Sequence, residues 1–337
     1  MVKMKILITG CAGLLGSHFS KYLLDNECEV VGIDNLSGGY SDFVDPRIDF
    51  YRIDLNDAEA LQNVFETHSI DYVFHFAAYA AEGLSHWIRN FNYTNNLLCS
   101  INVINCCIKY DVKKIIFTSS MAVYGSQSPP FTEDLKPAPE DPYGIAKYSV
   151  EQDLKAASDH FGLRYSIVRP HNVIGIRQNI WDRYRNVIGI WIRKVLDGED
   201  ITIFGDGMQT RAFSDIKYYM APFHKLMTEG DSEIFNIGAD EEISILEAAK
   251  IVRAIGKGYG YESDIVHLEP RNEVKFAYCD QTKAKEVLGF KDETVLWWTF
   301  EQMFKWAMDQ PKREVKNIEY ELEKDMYSFW KKSVGVL

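Results

Sequence analysis

The chain has 337 residues, with 37 Lys and Arg against 49 Asp and Glu, a formal net charge of −12 at pH 7. That length suits one large domain or two, and so acidic a balance, with no run of basic residues, argues against nucleic acid and anionic membrane as partners. The six cysteines lack metal-type spacing, no charged-then-apolar leader opens the chain, and no apolar run reaches the roughly 18 residues of a membrane span, so the expectation is a soluble cytoplasmic protein.

The first half alternates between two periods. Short apolar, β-branched or aromatic runs at 5–9, 29–33, 72–76, 115–118 and 165–169 predict strands buried on both faces. Helical spacing at 14–24, 58–66, 92–109 and 143–161 falls between them. Strands alternating with helices imply βαβ units, and right-handed crossovers make the sheet doubly wound. Beyond about residue 172 the pattern loosens. An Arg- and aromatic-rich tract, 177–193, leads to a helix and a strand at 201–204, while 213–216 and 233–237 are candidates to rejoin the large sheet. Helices are predicted at 245–255, 282–288, 296–308 and 314–332, the last read as surface-packed despite Tyr320, Tyr327 and Trp330. The expected architecture is α/β, a Rossmann-type doubly wound parallel sheet over 1–172, with 212–238 returning to it. A smaller discontinuous domain, 173–211 and 239–337, takes the substrate.

Gly10, Gly13 and Gly16, with Leu14 and Leu15 between the last two, sit between the first strand and the first helix. Such spacing lets backbone turn sharply and approach a pyrophosphate, with the helix N-terminus offering its N–H groups to the phosphates. Asp34 ends the second strand, where an acid accepts from a ribose diol and repels a 2′-phosphate, which favours NAD over NADP. Asp54 is read as ending the third strand, in Arg52-Ile53-Asp54-Leu55, in reach of an adenine amino group.

Tyr143 and Lys147 lie at i and i+4 at the start of a helix introduced by Asp141-Pro142. A lysine beside a phenol favours the phenolate and moves it toward general-base range. Ser120, in Thr118-Ser119-Ser120 at a strand's carboxyl end, can hydrogen-bond the substrate oxygen.

With these go His75-Phe76-Ala77-Ala78 and Arg169-Pro170-His171-Asn172-Val173. Together the motifs resemble the extended short-chain dehydrogenase/reductase superfamily, in its nucleotide-sugar epimerase and dehydratase branch, most like the UDP-glucose 4-epimerases. The resemblance implies Ser120, Tyr143 and Lys147 as catalytic residues. It implies NAD contacts from the glycine turn, Asp34, Asn35, Leu36, Ser37, Gly38, Asp54, Leu55, Phe76, Ala77, Ala78, Asn96, Pro170 and His171. For the substrate it implies Asn172, Asn186, Val187, Phe204 and Arg211, with Arg271 and Glu273 as a later pair, and a homodimer through the two long helices. Cys99-Ser100 stands where the family usually has Gly-Thr.

Related branches share formation of a 4-keto sugar and differ in the two residues after Ser120. Met121-Ala122 lacks the Asp-Glu of 4,6-dehydratases, the Glu of decarboxylases and the Cys of 3,5-epimerases. What remains is 4-epimerisation of a nucleotide sugar; a cofactor-exchanging dehydrogenase or 4-keto reductase, and a non-catalytic dinucleotide sensor, are the alternatives. Glu82 lies near the expected sugar, and His86 is read as structural or surface. Ala277 matches a position that limits sugar size in some members. Arg177, Arg183 and Arg185 are candidates to help bind phosphates, with a solvated basic stretch as the default reading.

Overall fold

The computed structural model describes residues 3–271, 274–314 and 318–331. A seven-stranded parallel sheet forms its centre. From one edge its strands are Glu233–Ile237, Tyr165–Pro170, Lys114–Thr118, Tyr72–His75, Lys5–Thr9, Glu29–Ile33 and Asp49–Tyr51. The order steps outward in both directions from the Lys5–Thr9/Tyr72–His75 pair, and crevices for ligands open where strand order reverses. The runs read as buried strands are buried: Ile6, Leu7, Ile8, Val73, Phe74, Ile115, Ile116 and Phe117 are all inaccessible.

Two apolar layers cover the sheet. One packs helices Ala58–Thr67, Cys99–Lys109 and Pro142–Phe161 against it through Leu61, Val103, Cys107, Val150 and Leu154. The other uses Leu14–Asp25, Met220–Lys225 and Thr282–Leu288 through Phe19, Leu23, Phe223 and Leu288. A separate core joins Val187–Leu196, Ile245–Gly258 and Leu296–Met308 around Trp191, Val252 and Phe304.

Three predicted elements differ from the structure. The helix expected over 92–109 begins at Arg89 and widens into a π-helical turn at Thr94–Leu98 before Cys99–Lys109. Periodicity alone does not reveal the inserted residue of such a turn, which is frequent at functional sites. Ser214–Asp215 does not rejoin the large sheet but pairs in parallel with Val173–Ile174; only Glu233–Ile237 returns. Of 314–332, only Ser328–Lys331 is helical among the described residues. The apolar side chains there are spaced to meet a partner surface rather than to form a stripe on one helix.

Candidate active site

Gly10 has φ +72, and a Cβ there would lie 2.8 Å from the Ala77 nitrogen. A Cβ on Gly16 would lie 2.2 Å from the Gly10 oxygen, so the helix can start this close to the turn only with glycine. Helix Leu14–Asp25 has Gly13 as its N-cap, no capping side chain and no acid in its first turn. Its leading N–H groups are thus left for an external anion. Asp34 braces the turn: Oδ2 accepts from Ala12 N at 3.0 Å and Oδ1 from Leu36 N at 2.7 Å. Asp54 lies three residues past the strand Asp49–Tyr51 and accepts from Asn35 Nδ2 at 3.0 Å.

Behind this turn His75 is fully buried. Its Nδ1 lies 2.7 Å from Thr9 Oγ1 and its Nε2 2.8 Å from Ser100 Oγ, whose hydroxyl donates to Asn96 O at 2.8 Å. The consistent assignment has Thr9 donating to Nδ1 and Nε2–H donating to Ser100. Burial drives this imidazole down to about 3, so it is neutral. Ser100, in the Cys99-Ser100 departure, therefore has a defined structural partner.

Helix Pro142–Phe161 is set by its cap. Asp141 Oδ1 accepts from Tyr143 N at 2.8 Å and Gly144 N at 3.0 Å, and Pro142 occupies the first turn. A Cβ on Gly144 would lie 2.6 Å from the Ala122 oxygen. That glycine lets the helix close on the turn after Ser120, and Ser120 faces the same cavity as Tyr143. One helical turn on, Lys147 Nζ donates to Thr118 O at 2.9 Å and sits 5.9 Å from the Tyr143 ring centroid.

Burial is the main influence on both groups. It lowers Lys147 to about 8 and holds the Tyr143 phenol well above its ordinary value. Ser120 and the Arg185 charge pull Tyr143 down, while Glu82 and Asp141 push it up. The Lys147 ammonium is turned to a backbone carbonyl.

These groups face one cavity of about 900 Å³. It is lined by Gly10, Gly13, Leu14, Leu15, Gly16, Asp34, Asn35, Ser37, Gly38, Asp54, Leu55, Phe76, Ala77, Ala78 and Pro170 on one side, with Ser120, Tyr143 and Lys147 at its centre. Glu82, Asn172, Asn186, Val187, Phe204, Arg211, Arg271 and Ala277 line it as well. Glu273 lies outside the described residues.

Three expected contacts do not line it. Asn96 is buried in the π-helical turn, where Oδ1 accepts from Tyr79 N and Nδ2 donates to Asn92 and Tyr79. Leu36 turns at φ +60 onto the Asp34 carboxylate. His171 is buried beneath Gly238, and neither ring nitrogen has a hydrogen-bond partner, so it fills space behind the wall.

Other residues were missed. Arg177, Arg183 and Arg185, read by default as solvated, line the cavity. Arg185 is held by Asp182 at 3.0 Å and lies 4.3 Å from the Tyr79 ring centroid. His86 lines it at an exposed position. Tyr327, Phe329 and Trp330 line it also. The only sequence signal was aromatic density near the C-terminus, which carries no address.

The glycine turn, its uncapped helix and the acid after the second strand fit a dinucleotide diphosphate and ribose, so fold and site define a Rossmann-type protein with a Ser/Tyr/Lys centre. Residues 6–238 match the NAD dependent epimerase/dehydratase family. The chain belongs to that family, and NAD is its cofactor. UDP-glucose 4-epimerase of Halalkalibacterium halodurans is 31% identical, over 86% of this chain and 90% of that one. A crystal structure of UDP-glucose 4-epimerase with UDP-glucose from Thermotoga maritima superposes with TM-score 0.86 at 34% identity, covering 90% of this chain and 99% of that one. UDP-glucuronic acid 4-epimerase from Bacillus cereus, in complex with UDP-glucuronic acid and NAD, gives 0.81 at 30% identity over 90% and 99%.

Proposed function

We propose that the chain is an NAD-dependent nucleotide-sugar 4-epimerase acting on a UDP-sugar. The observation that carries this reading is that Ser120, Tyr143 and Lys147 line one cavity, with Met121-Ala122, which also line it, directly after Ser120. Ser120 and Tyr143 hold the C4 oxygen, and Tyr143 takes its proton as the 4-keto sugar forms. Bound NAD would supply the acceptor and donor for the C4 hydride and a positive charge that favours the phenolate. Tyr143 then gives the proton back. Neither a thioether nor a methyl exchanges protons, so C3, C5 and C6 keep theirs.

The glycine turn, Asp34, Ser37 and Gly38 hold the dinucleotide in this reading, and Lys147 its nicotinamide ribose. Asn172, Asn186, Val187, Phe204, Arg211 and Arg271 hold the sugar nucleotide; arginines suit its diphosphate in an otherwise acidic protein. The division in this reading is 1–172 with 212–238 for NAD and 173–211 with 239–337 for substrate, except that helix Thr282–Leu288 packs on the large sheet and Phe213 in the other core. Buried Ala277 leaves space for an N-acetyl or larger sugar. A homodimer through the two long helices agrees with exposed Leu98 and Ile145 on them, and solution scattering tests it. Six buried, unpaired cysteines suit the cytoplasm. No helix among the described residues is long and apolar enough to cross a membrane.

The test is proton NMR in heavy water with UDP-glucose, UDP-N-acetylglucosamine and UDP-glucuronate, without added NAD. A C4 epimer free of carbon-bound deuterium is the expected product, and Tyr143→Phe abolishes it while NAD stays bound. Deuterium at C3 or C5, or dependence on added NAD, overturns the reading.

A further inference from the structure

Residues 318–331 run as a strap from one wall of the cavity to the other. On the Rossmann side, Glu321 N donates to Trp87 O at 2.9 Å, and the Glu321 carboxylate accepts from Asn90 N and Phe91 N, each at 2.7 Å. The Trp87 indole donates back to Lys324 O at 3.0 Å. On the other side the phenols of Tyr320 and Tyr184 are hydrogen-bonded, and Trp330 packs on Tyr184 with centroids 5.8 Å apart.

The strap divides its aromatic residues between two tasks. Met326 and Trp330 are buried in the cluster with Leu84 and Trp87 and anchor it. Phe329 is only half-buried, lines the cavity, and meets Phe204 edge to face at 5.7 Å. Phe204 also carries the Arg271 guanidinium 3.8 Å from its ring centroid. The two rings meet at a right angle, and with the cation they form a corner on which a flat, polarisable group joined to an anion can stack, which is the chemistry of a nucleobase and its diphosphate. Phe329 packs on the anchoring cluster as well, yet it stays half-buried on the cavity wall.

We propose that Phe329 is a substrate-binding residue, forming with Phe204 the corner that takes the nucleobase of the nucleoside diphosphate sugar. The proposal rests on the nucleotide-sugar reading above and adds to it a residue outside the 6–238 family segment.

Calorimetric titration of the full-length, NAD-loaded protein with UDP, GDP and dTDP tests it. Phe329→Ala weakens the preferred nucleotide about tenfold or more, the scale of a lost base–aromatic contact, with NAD content and Tm unchanged. Phe329→Leu keeps apolar volume without a ring and stays weak. Nucleotide affinity within twofold of wild type in Phe329→Ala, or restored fully in Phe329→Leu, overturns the proposal. So does a parallel loss of NAD and Tm, which marks Phe329 as structural. The epimerase reading fails separately, by absence of sugar turnover in a wild-type protein that still binds the nucleotide. A wild type that binds none of the three overturns both.

Discussion

Glu151 and Arg169 are joined by two hydrogen bonds, Arg169 Nε to Oε1 at 2.9 Å and Nη2 to Oε2 at 2.6 Å, with both side chains 1% exposed. Glu151 stands one helical turn beyond Lys147, as Lys147 does beyond Tyr143, and Oε1 also accepts from Ser119 Oγ at 2.5 Å. Arg169 continues through Tyr124 to Asn236, each step 2.8 Å. The network therefore fixes the strand end that carries Ser120 against the face that carries Tyr143.

Glu151→Gln leaves a buried guanidinium without its counter-charge. Breaking one side of a buried pair costs about 3–5 kcal/mol. Denaturant unfolding of the NAD-loaded protein reads this directly, and a loss under about 1 kcal/mol contradicts the assignment. Turnover falls too, because Ser119 neighbours Ser120.

Much of this arrangement was legible because local rules agree there. Asp141-Pro142 announces a helix start, the i+4 step puts Tyr143 and Lys147 on one face, and glycines at 10, 13 and 16 serve a turn that needs them. Legibility ended where a side chain's direction depends on distant chain. Arg185 read as solvated because Tyr79, whose ring it lies over, meets it only in the fold. Asn96, a cofactor contact by resemblance, lies in a π-helical turn that spacing does not show, with its amide bonded to Tyr79. Residues 314–332 read as a helix because aromatic residues among charges mimic an amphipathic pattern, whereas these rings are arranged to fit Trp87 and Phe204.

Lys147 makes stability depend on alkaline pH. Its ammonium is lowered by burial to about 8 from 10.5, so between those values the unfolded chain binds the extra proton and stability rises with pH. Compared with Lys147→Met, the wild type gains about 2 kcal/mol between pH 7 and 9.5. Paired denaturant curves at the two pH values check this; a difference that stays flat or falls contradicts it.

Gly16→Ala tests the cradle. Its Cβ would lie 2.2 Å from the Gly10 oxygen and 2.7 Å from the Cys11 Cα, both backbone and unable to swing aside. Helix Leu14–Asp25 must back away, at about 1–3 kcal/mol of stability, and its N–H groups withdraw with it. The purified variant therefore carries little NAD by absorbance after denaturation. Full NAD content with unchanged Tm would mean that the turn does not need this glycine.

Burial is the main cause that holds the Tyr143 phenol high, and the Glu82 charge adds to it while Ser120 and Arg185 oppose it. Asp141 also raises it but caps the helix, so it is not a clean probe. Glu82→Gln removes the charge at nearly constant shape from an exposed position on the cavity wall. The phenolate then forms at lower pH, and the acid limb of kcat/KM moves to lower pH, with the base limb and NAD content unchanged. Had Glu82 itself been the proton carrier, the variant would lose turnover at every pH. A profile that falls without shifting therefore assigns the proton to Glu82 instead of Tyr143.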